Sequence, residues 1–265
     1  MGCAWFGNSF ASKSGSYEKR AMTWRVSGNV SLSDEGINAI PEIVFDQGPL
    51  VSQLEASNNQ IEALDDGISS LSKLQRLILT NNRINSISSQ IVHLSKLQVL
   101  ILNKNNIASI PSTIGRLTNL EHLNLEDNVL REVPESIGYM TRLKMLQLGY
   151  NRLKCLPETM GGCHSLEYLD LKQNQVKKLP EYICKLEKLK VILADNNLIE
   201  ELPEKIFSSC KALNTLSVHL NPIQTKDIQK MDDFKEYNDR RVQKYNKRIY
   251  GGEESLDNSF TFEEE

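Results

Sequence analysis

Asparagine returns along this chain at a fixed interval. Positions 59, 82, 105, 128, 151, 174 and 197 lie 23 residues apart, and 221 follows after 24. A period of this length marks a solenoid, in which each coil buries its apolar side chains only against its neighbours. Around each asparagine the chain repeats one frame, seen in Leu120, Leu123, Leu125, Asn128, Leu130, Val133 and Pro134, and again in Leu143, Leu146, Leu148, Asn151, Leu153, Leu156 and Pro157. Two leucines separated by one residue follow a period of two, so the frame predicts a short strand with both leucines turned inward and the residue between them outward. The asparagine turns the chain out of that strand where backbone groups become buried, and its amide both donates and accepts. Asn59, Asn82, Asn105, Asn128, Asn151, Asn174, Asn197 and Asn221 are therefore expected to form a buried ladder. The proline that follows starts a short helical or 3₁₀ turn that returns the chain along the outer side.

The ends of such a stack need covers, since an open coil leaves a slab of core in water. Val30, Leu32, Ile37, Ile40 and Pro41 fit a first, degenerate coil in which Glu35 stands where the asparagine belongs. After Asn221, the residues Ile228, Met231, Phe234, Val242 and Tyr245 recur at helical spacing among charges and predict a helical cap. The expected organisation is a basic segment over residues 1–25, repeats over 26–225, the cap over 226–250 and an acidic, disordered tail over 251–265. With 40% hydrophobic residues the chain can build a core, yet no apolar run approaches the roughly 18 residues of a membrane-crossing helix. A net charge of −3 argues against binding nucleic acid through its phosphates.

The 23-residue frame resembles the Ras-group class of intracellular leucine-rich repeat proteins over about residues 26–225. The start Met1-Gly2-Cys3, the pair Trp24-Arg25, the close Leu220-Asn221-Pro222-Ile223 and the run Met231-Asp232-Asp233-Phe234 narrow the likeness. They are similar to a smaller group that includes plant intracellular Ras-group-related repeat proteins and the animal leucine-rich repeat-containing protein 57. The resemblance implies an α/β solenoid, a right-handed horseshoe with a concave parallel sheet and convex short helices or 3₁₀ turns. It also implies a non-catalytic, cytoplasmic binding scaffold in signal transduction, anchored by lipid, whose partner is a protein such as a small GTPase or a phosphatase. The rival reading is a soluble regulatory subunit of a phosphatase or a ubiquitin ligase. A monomer is expected.

Because the leucines point inward, the residues beside them can be read as columns of the concave face. Candidate contacts are Arg76, Ile78, Val99, Ile101, His122, Asn124, Glu126, Met145, Gln147, Tyr168, Asp170, Lys172, Val191, Leu193 and Asp195. Two outward apolar clusters are expected, Ile78 with Val99 and Ile101, and Met145 with Tyr168, Val191 and Leu193, separated by polar residues. Apolar anchors rimmed by charge suit a protein partner. Glu126, Asp127, Asp170 and Asp195 around Lys172 suit a basic segment of that partner.

Gly2 behind Met1 is an acceptor for N-myristoylation and Cys3 beside it for S-palmitoylation, although Phe6 stands where that motif carries Ser or Thr. One myristoyl chain holds a membrane with a constant on the order of 10⁴ M⁻¹, so a second acyl chain or a basic patch is needed. The first 25 residues offer four bases against one acid. No cofactor, metal site or catalytic residue is expected: His93, His122, His164 and His219 fall in separate repeats, and Cys163 and Cys210 take convex core positions filled elsewhere by Leu117 and Leu186.

Overall fold

The computed structural model of the chain describes residues 8–251. In chain order its strands are β1 (Asn29–Ser31), β2 (Gln53–Glu55), β3 (Ala63–Leu64), β4 (Arg76–Ile78), β5 (Ser86–Ile87) and β6 (Val99–Ile101). They continue as β7 (His122–Asn124), β8 (Met145–Gln147), β9 (Tyr168–Asp170), β10 (Val191–Leu193) and β11 (Thr215–Ser217). All but β3 and β5 form one nine-stranded parallel sheet in sequence order, while β3 and β5 pair with each other on the flank. The register steps one repeat at a time, so Leu77, Leu100, Leu123, Leu146 and Leu169 stack as a column. All five are buried. Burying one leucine contributes roughly 1.5–3 kcal/mol, and here each is buried within one core shared by its own coil and the coils one period away.

On the convex side the chain returns through five-residue 3₁₀ segments such as Ser112–Arg116, Glu135–Tyr139, Glu158–Gly162 and Glu181–Lys185. Pro111, Pro134, Pro157 and Pro180 each stand just before one of them, with φ between −64° and −70° and ψ still extended. The fixed proline φ thus sets the entry angle, and one buried apolar side chain per segment, Ile114, Ile137, Met160 or Ile183, closes the core. Adjacent segments pack so closely that a Cβ on Gly138 would lie 2.1 Å from the carbonyl oxygen of Thr159.

A helix precedes the first rung, α1 (Asn8–Ser27). Tyr17, Ala21 and Trp24, spaced four and three apart, share one face of it and are buried against the first coil. Gly28, at φ 70°, ends the helix and its N–H returns to the Trp24 carbonyl at 2.8 Å. Residues 17–25 therefore belong to the repeat stack rather than to a separate basic segment, because the open first coil needs an apolar cover. Arg20, counted among the bases free to meet a membrane, is bonded to Glu35 at 2.6 Å.

The far end is closed by α3 (Ile206–Ser209), α4 (Thr225–Gln229) and α5 (Phe234–Gly251), while α2 (Glu42–Phe45) completes the convex side of the first coil. Phe207, Phe234 and Tyr237 form an aromatic cluster, with the rings of Phe207 and Tyr237 stacked at 4.7 Å. Val242, placed on the cap's apolar face by its spacing, is 43% exposed. The helix turns Tyr237 inward instead, three residues after Phe234 on the same face, and both rings meet Phe207.

Candidate functional site

The ladder asparagines are all built in the same way. Asn128 accepts from the Ile107 N–H at 2.9 Å and donates to the carbonyls of Leu102 and Leu125 at 3.0 Å and of Glu126 at 3.2 Å. One amide thereby ties two coils together through backbone groups that no strand can reach. Asn59, Asn82, Asn105, Asn151, Asn174 and Asn197 repeat this pattern and are buried; Asn221, at the last coil, is half-buried. The residue before each asparagine, and Asp34 before Glu35 in the first coil, takes a left-handed backbone, at 62° for Asp34, 55° for Asp127, 53° for Tyr150 and 55° for Leu220. This sharp corner carries the chain out of the sheet; Asp34, Asn58, Asn81, Asp127 and Asn196 are of the types that adopt a left-handed backbone most readily after glycine, whereas Lys104, Tyr150, Gln173 and Leu220 give no such signal.

Register sets out the concave face in columns. One runs Arg76, Val99, His122, Met145, Tyr168, Val191, Thr215, and the next runs Glu55, Ile78, Ile101, Asn124, Gln147, Asp170, Leu193, Ser217. Ile78, Val99 and Ile101 meet as a half-buried apolar patch, and the exposed Met145 with the half-buried Tyr168 and Val191 forms a second. Between them His122 Nε2 lies 2.8 Å from Gln147 Oε1.

Leu193 corrects the column reading. It is 1% exposed and offers no anchor to a partner. Its register neighbours Asp170 and Ser217 are themselves buried, and on the inside of a curved sheet the side chains of adjacent rungs converge over the central column.

The acids of the face are largely engaged. Asp170 Oδ1 accepts from the Lys172 N–H at 3.0 Å, and Asp195 Oδ1 accepts from the His219 N–H at 2.8 Å and from the Ser217 hydroxyl. Asn124 caps Glu126 in the same manner at 2.9 Å, so the central column also pins the loop beyond it. Burial raises the Glu126 carboxyl above the ordinary range, helped by Asp170 and Asp127 and opposed by Lys172 and Lys104. Burial also raises Asp170, with Asp195 adding to it and the Lys172 N–H and ammonium opposing. Arg76 stands exposed beside the first apolar patch. Gly2 and Cys3 lie outside the described residues, as does the segment from 252 onward.

A sequence model described as a leucine-rich repeat region matches residues 50–152 and 135–237. The chain belongs to the leucine-rich repeat family. Over 61 residues this repeat protein is 43% identical to plant intracellular Ras-group-related LRR protein 8 of Oryza sativa subsp. japonica, a stretch covering 23% of the chain and 16% of that relative. Among solved structures it is similar to a leucine-rich repeat protein of Leptospira interrogans, at 25% identity and a TM-score of 0.62, over 76% of this chain and 58% of that one. It is also similar to the plant peptide hormone receptor RGFR1 in complex with RGF2, at 27% identity and a TM-score of 0.57, over 69% of this chain and 34% of the receptor chain. The repeat protein thus spans a sixth of its curated relative and under two thirds of these structures. Among the described residues, no helix is long and apolar enough to cross a membrane.

Proposed function

We propose that this leucine-rich repeat protein is a non-enzymatic scaffold in signal transduction that holds a protein partner on its concave face. The carrying observation is the pair of apolar patches, the half-buried Ile78-Val99-Ile101 and the more open Met145-Tyr168-Val191, on either side of the polar His122-Gln147 pair. Such patches contribute binding free energy because they are desolvated on contact, and the polar strip between them fixes register. Arg76, Asn124, Glu126, Asp170, Lys172 and Asp195 supply the polar surroundings, and the acids among them suit a basic segment of the partner. The receptor captured with RGF2 lends support, as its fold is shared and its ligand is bound.

Acylation at Gly2 and Cys3 would place the scaffold on a membrane. The reading is supported by α1, which follows both residues in the chain and packs Tyr17, Ala21 and Trp24 against the first coil rather than on the concave face. The partner class implied by the resemblance, a small GTPase or a phosphatase, fits a membrane-held scaffold.

Capture from cells tests the reading. Ile101→Asp with Val191→Asp should abolish retention of one specific protein, while a convex control, Tyr139→Asp, retains it. Equal retention by both would move the site off this face. Intact mass of the protein from eukaryotic cells should show Met1 removed and an acyl chain added; an unmodified N-terminus would end the lipid half of the proposal.

A further inference from the structure

The turns that lead from the convex side into the strands carry an excess of positive charge. Residues 71–75, 94–98, 117–121, 140–144, 163–167, 186–190 and 210–214 hold seven bases and three acids, although the whole chain has a net charge of −3. Two of the acids are already engaged, Glu121 with Lys144 at 2.7 Å and Glu167 with Lys190 at 2.6 Å. Lys73, Lys96, Arg142, Lys188 and Lys211 are exposed, and no ion pair among the described residues holds any of them. Against these five stands Glu187 alone.

Their placement follows from the repeat. Lys73, Lys96, Arg142 and Lys188 each precede the strand of their coil by three residues, at β4, β6, β8 and β10, so the register that stacks the leucines also lines these bases along one flank. The row covers five rung spacings, about 24 Å. At its C-terminal end Lys185, Lys188 and Lys211 line one groove with His164, and Glu187 is the one acid there. The flank lies beyond the N-terminal ends of the strands and therefore off the concave face.

From this arrangement we propose that the flank is a docking surface for an anionic membrane, which the solenoid meets edge-on while its concave face stays free for a partner. Charge complementarity selects an anionic occupant, and the kind of base selects lipid over protein. Six of the seven bases are lysines, whose hydrated ammonium groups are point charges suited to many headgroups in one plane. Protein interfaces favour arginine with its rigid fork and are poor in lysine. Near an anionic leaflet each such base strengthens attachment about fivefold. The start of the chain does not supply this surface through Arg20 and Arg25, because Arg20 is bonded to Glu35 and Arg25 Nε donates to Gln47 at 2.8 Å. Docking through the flank needs no acyl chain and stands apart from the acylation of Gly2 and Cys3.

The test uses the full chain carrying Gly2→Ala with Cys3→Ser, so that no acyl chain contributes, and measures cosedimentation with vesicles of phosphatidylcholine containing phosphatidylserine. This protein should bind them, be released as salt is raised, and ignore vesicles of phosphatidylcholine alone. Lys96→Ser, Arg142→Ser, Lys188→Ser and Lys211→Ser together should weaken binding on the order of a hundredfold. Arg152→Ser, Lys154→Ser, Lys177→Ser and Lys178→Ser remove the same charge from exposed positions beyond the ladder asparagines, on the opposite flank, and should leave binding close to the starting protein. An undiminished flank variant, or equal weakening by both sets, overturns the proposal, and so does binding that salt leaves untouched. No binding to the anionic vesicles overturns it as well; if that protein instead holds polyglutamate, the flank belongs to an acidic protein. Since neither a partner nor an acyl chain is involved, failure here leaves the capture and mass experiments intact, and their failure leaves this result standing.

Discussion

Arg20 and Arg240 do the same work at opposite ends of the stack. Each follows a buried tyrosine by three residues on a capping helix, Tyr17 on α1 and Tyr237 on α5, and each guanidinium donates to backbone carbonyls of the terminal coil that its helix covers. Arg20 reaches the Ser31 carbonyl of the first rung and Glu35, while Arg240 reaches the carbonyls of Leu213 at 3.2 Å and Phe207 at 3.4 Å. The two tyrosines differ in one respect. Tyr17 donates to Glu35 at 2.7 Å, whereas the Tyr237 oxygen accepts the Leu216 N–H.

That acceptor makes Tyr237→Phe a pointed test of the cap. The ring and its stacking on Phe207 remain, but a buried backbone N–H loses its only oxygen, which costs about 1–3 kcal/mol. Urea unfolding should show this loss with an unchanged slope. A change within a few tenths of a kcal/mol would mean that water satisfies the edge.

Asn128→Ala removes one acceptor and three donations at the centre of the ladder. Expected destabilisation is about 1–3 kcal/mol for each buried group left unsatisfied, with relaxation holding the total near the cost of one or two such groups. Asn221→Ala, at the half-buried last coil, should cost clearly less. Equal losses at both positions would show that the ladder does not depend on burial.

Glu126 and Asp170 both carry raised carboxyl pKa values in the folded protein, chiefly through burial. Between the ordinary carboxylate value and the raised one, the folded state binds more protons than the unfolded chain, so stability falls as pH rises through that window. Glu126→Gln with Asp170→Asn should therefore be more stable than the wild type at neutral pH, the advantage shrinking as pH is lowered to the ordinary carboxylate range. The measurement is unfolding free energy against pH for both proteins. An advantage that grows on acidification would reverse the assignment.

Cys155 is exposed, while the thiols of Cys163 and Cys210 are buried, donate to the carbonyls of Ile137 and Ile183, and are pushed up to about 12 by burial. Iodoacetamide at neutral pH should label Cys155 in the native protein and reach Cys163 and Cys210 only on unfolding. Peptide mapping that finds Cys163 modified under native conditions would show that the convex side opens locally.

The 23-residue period carried the rungs, the ladder and the columns of the concave face, because each coil meets only coils one period away and a local frame then specifies a long-range contact. Leu77, Leu100 and Leu123 could be placed from spacing alone, and so could Asn128. What escaped was set where the period stops or the surface curves. Leu193 has the same place in its repeat as Ile101, yet it is buried and Ile101 is not, since its flanking rungs carry different side chains. Tyr17, Ala21 and Trp24 sit in a stretch read as a basic arm, and only the open first coil gives their spacing a meaning. The left-handed corner at Tyr150 or Leu220 runs against the preference of those residues and is imposed by the sheet on one side and the asparagine on the other. The sequence by itself determined the repeat and which way its side chains point. Tertiary structure decided which of the outward residues stay accessible and how the ends are closed, because both depend on neighbours that no single repeat encodes.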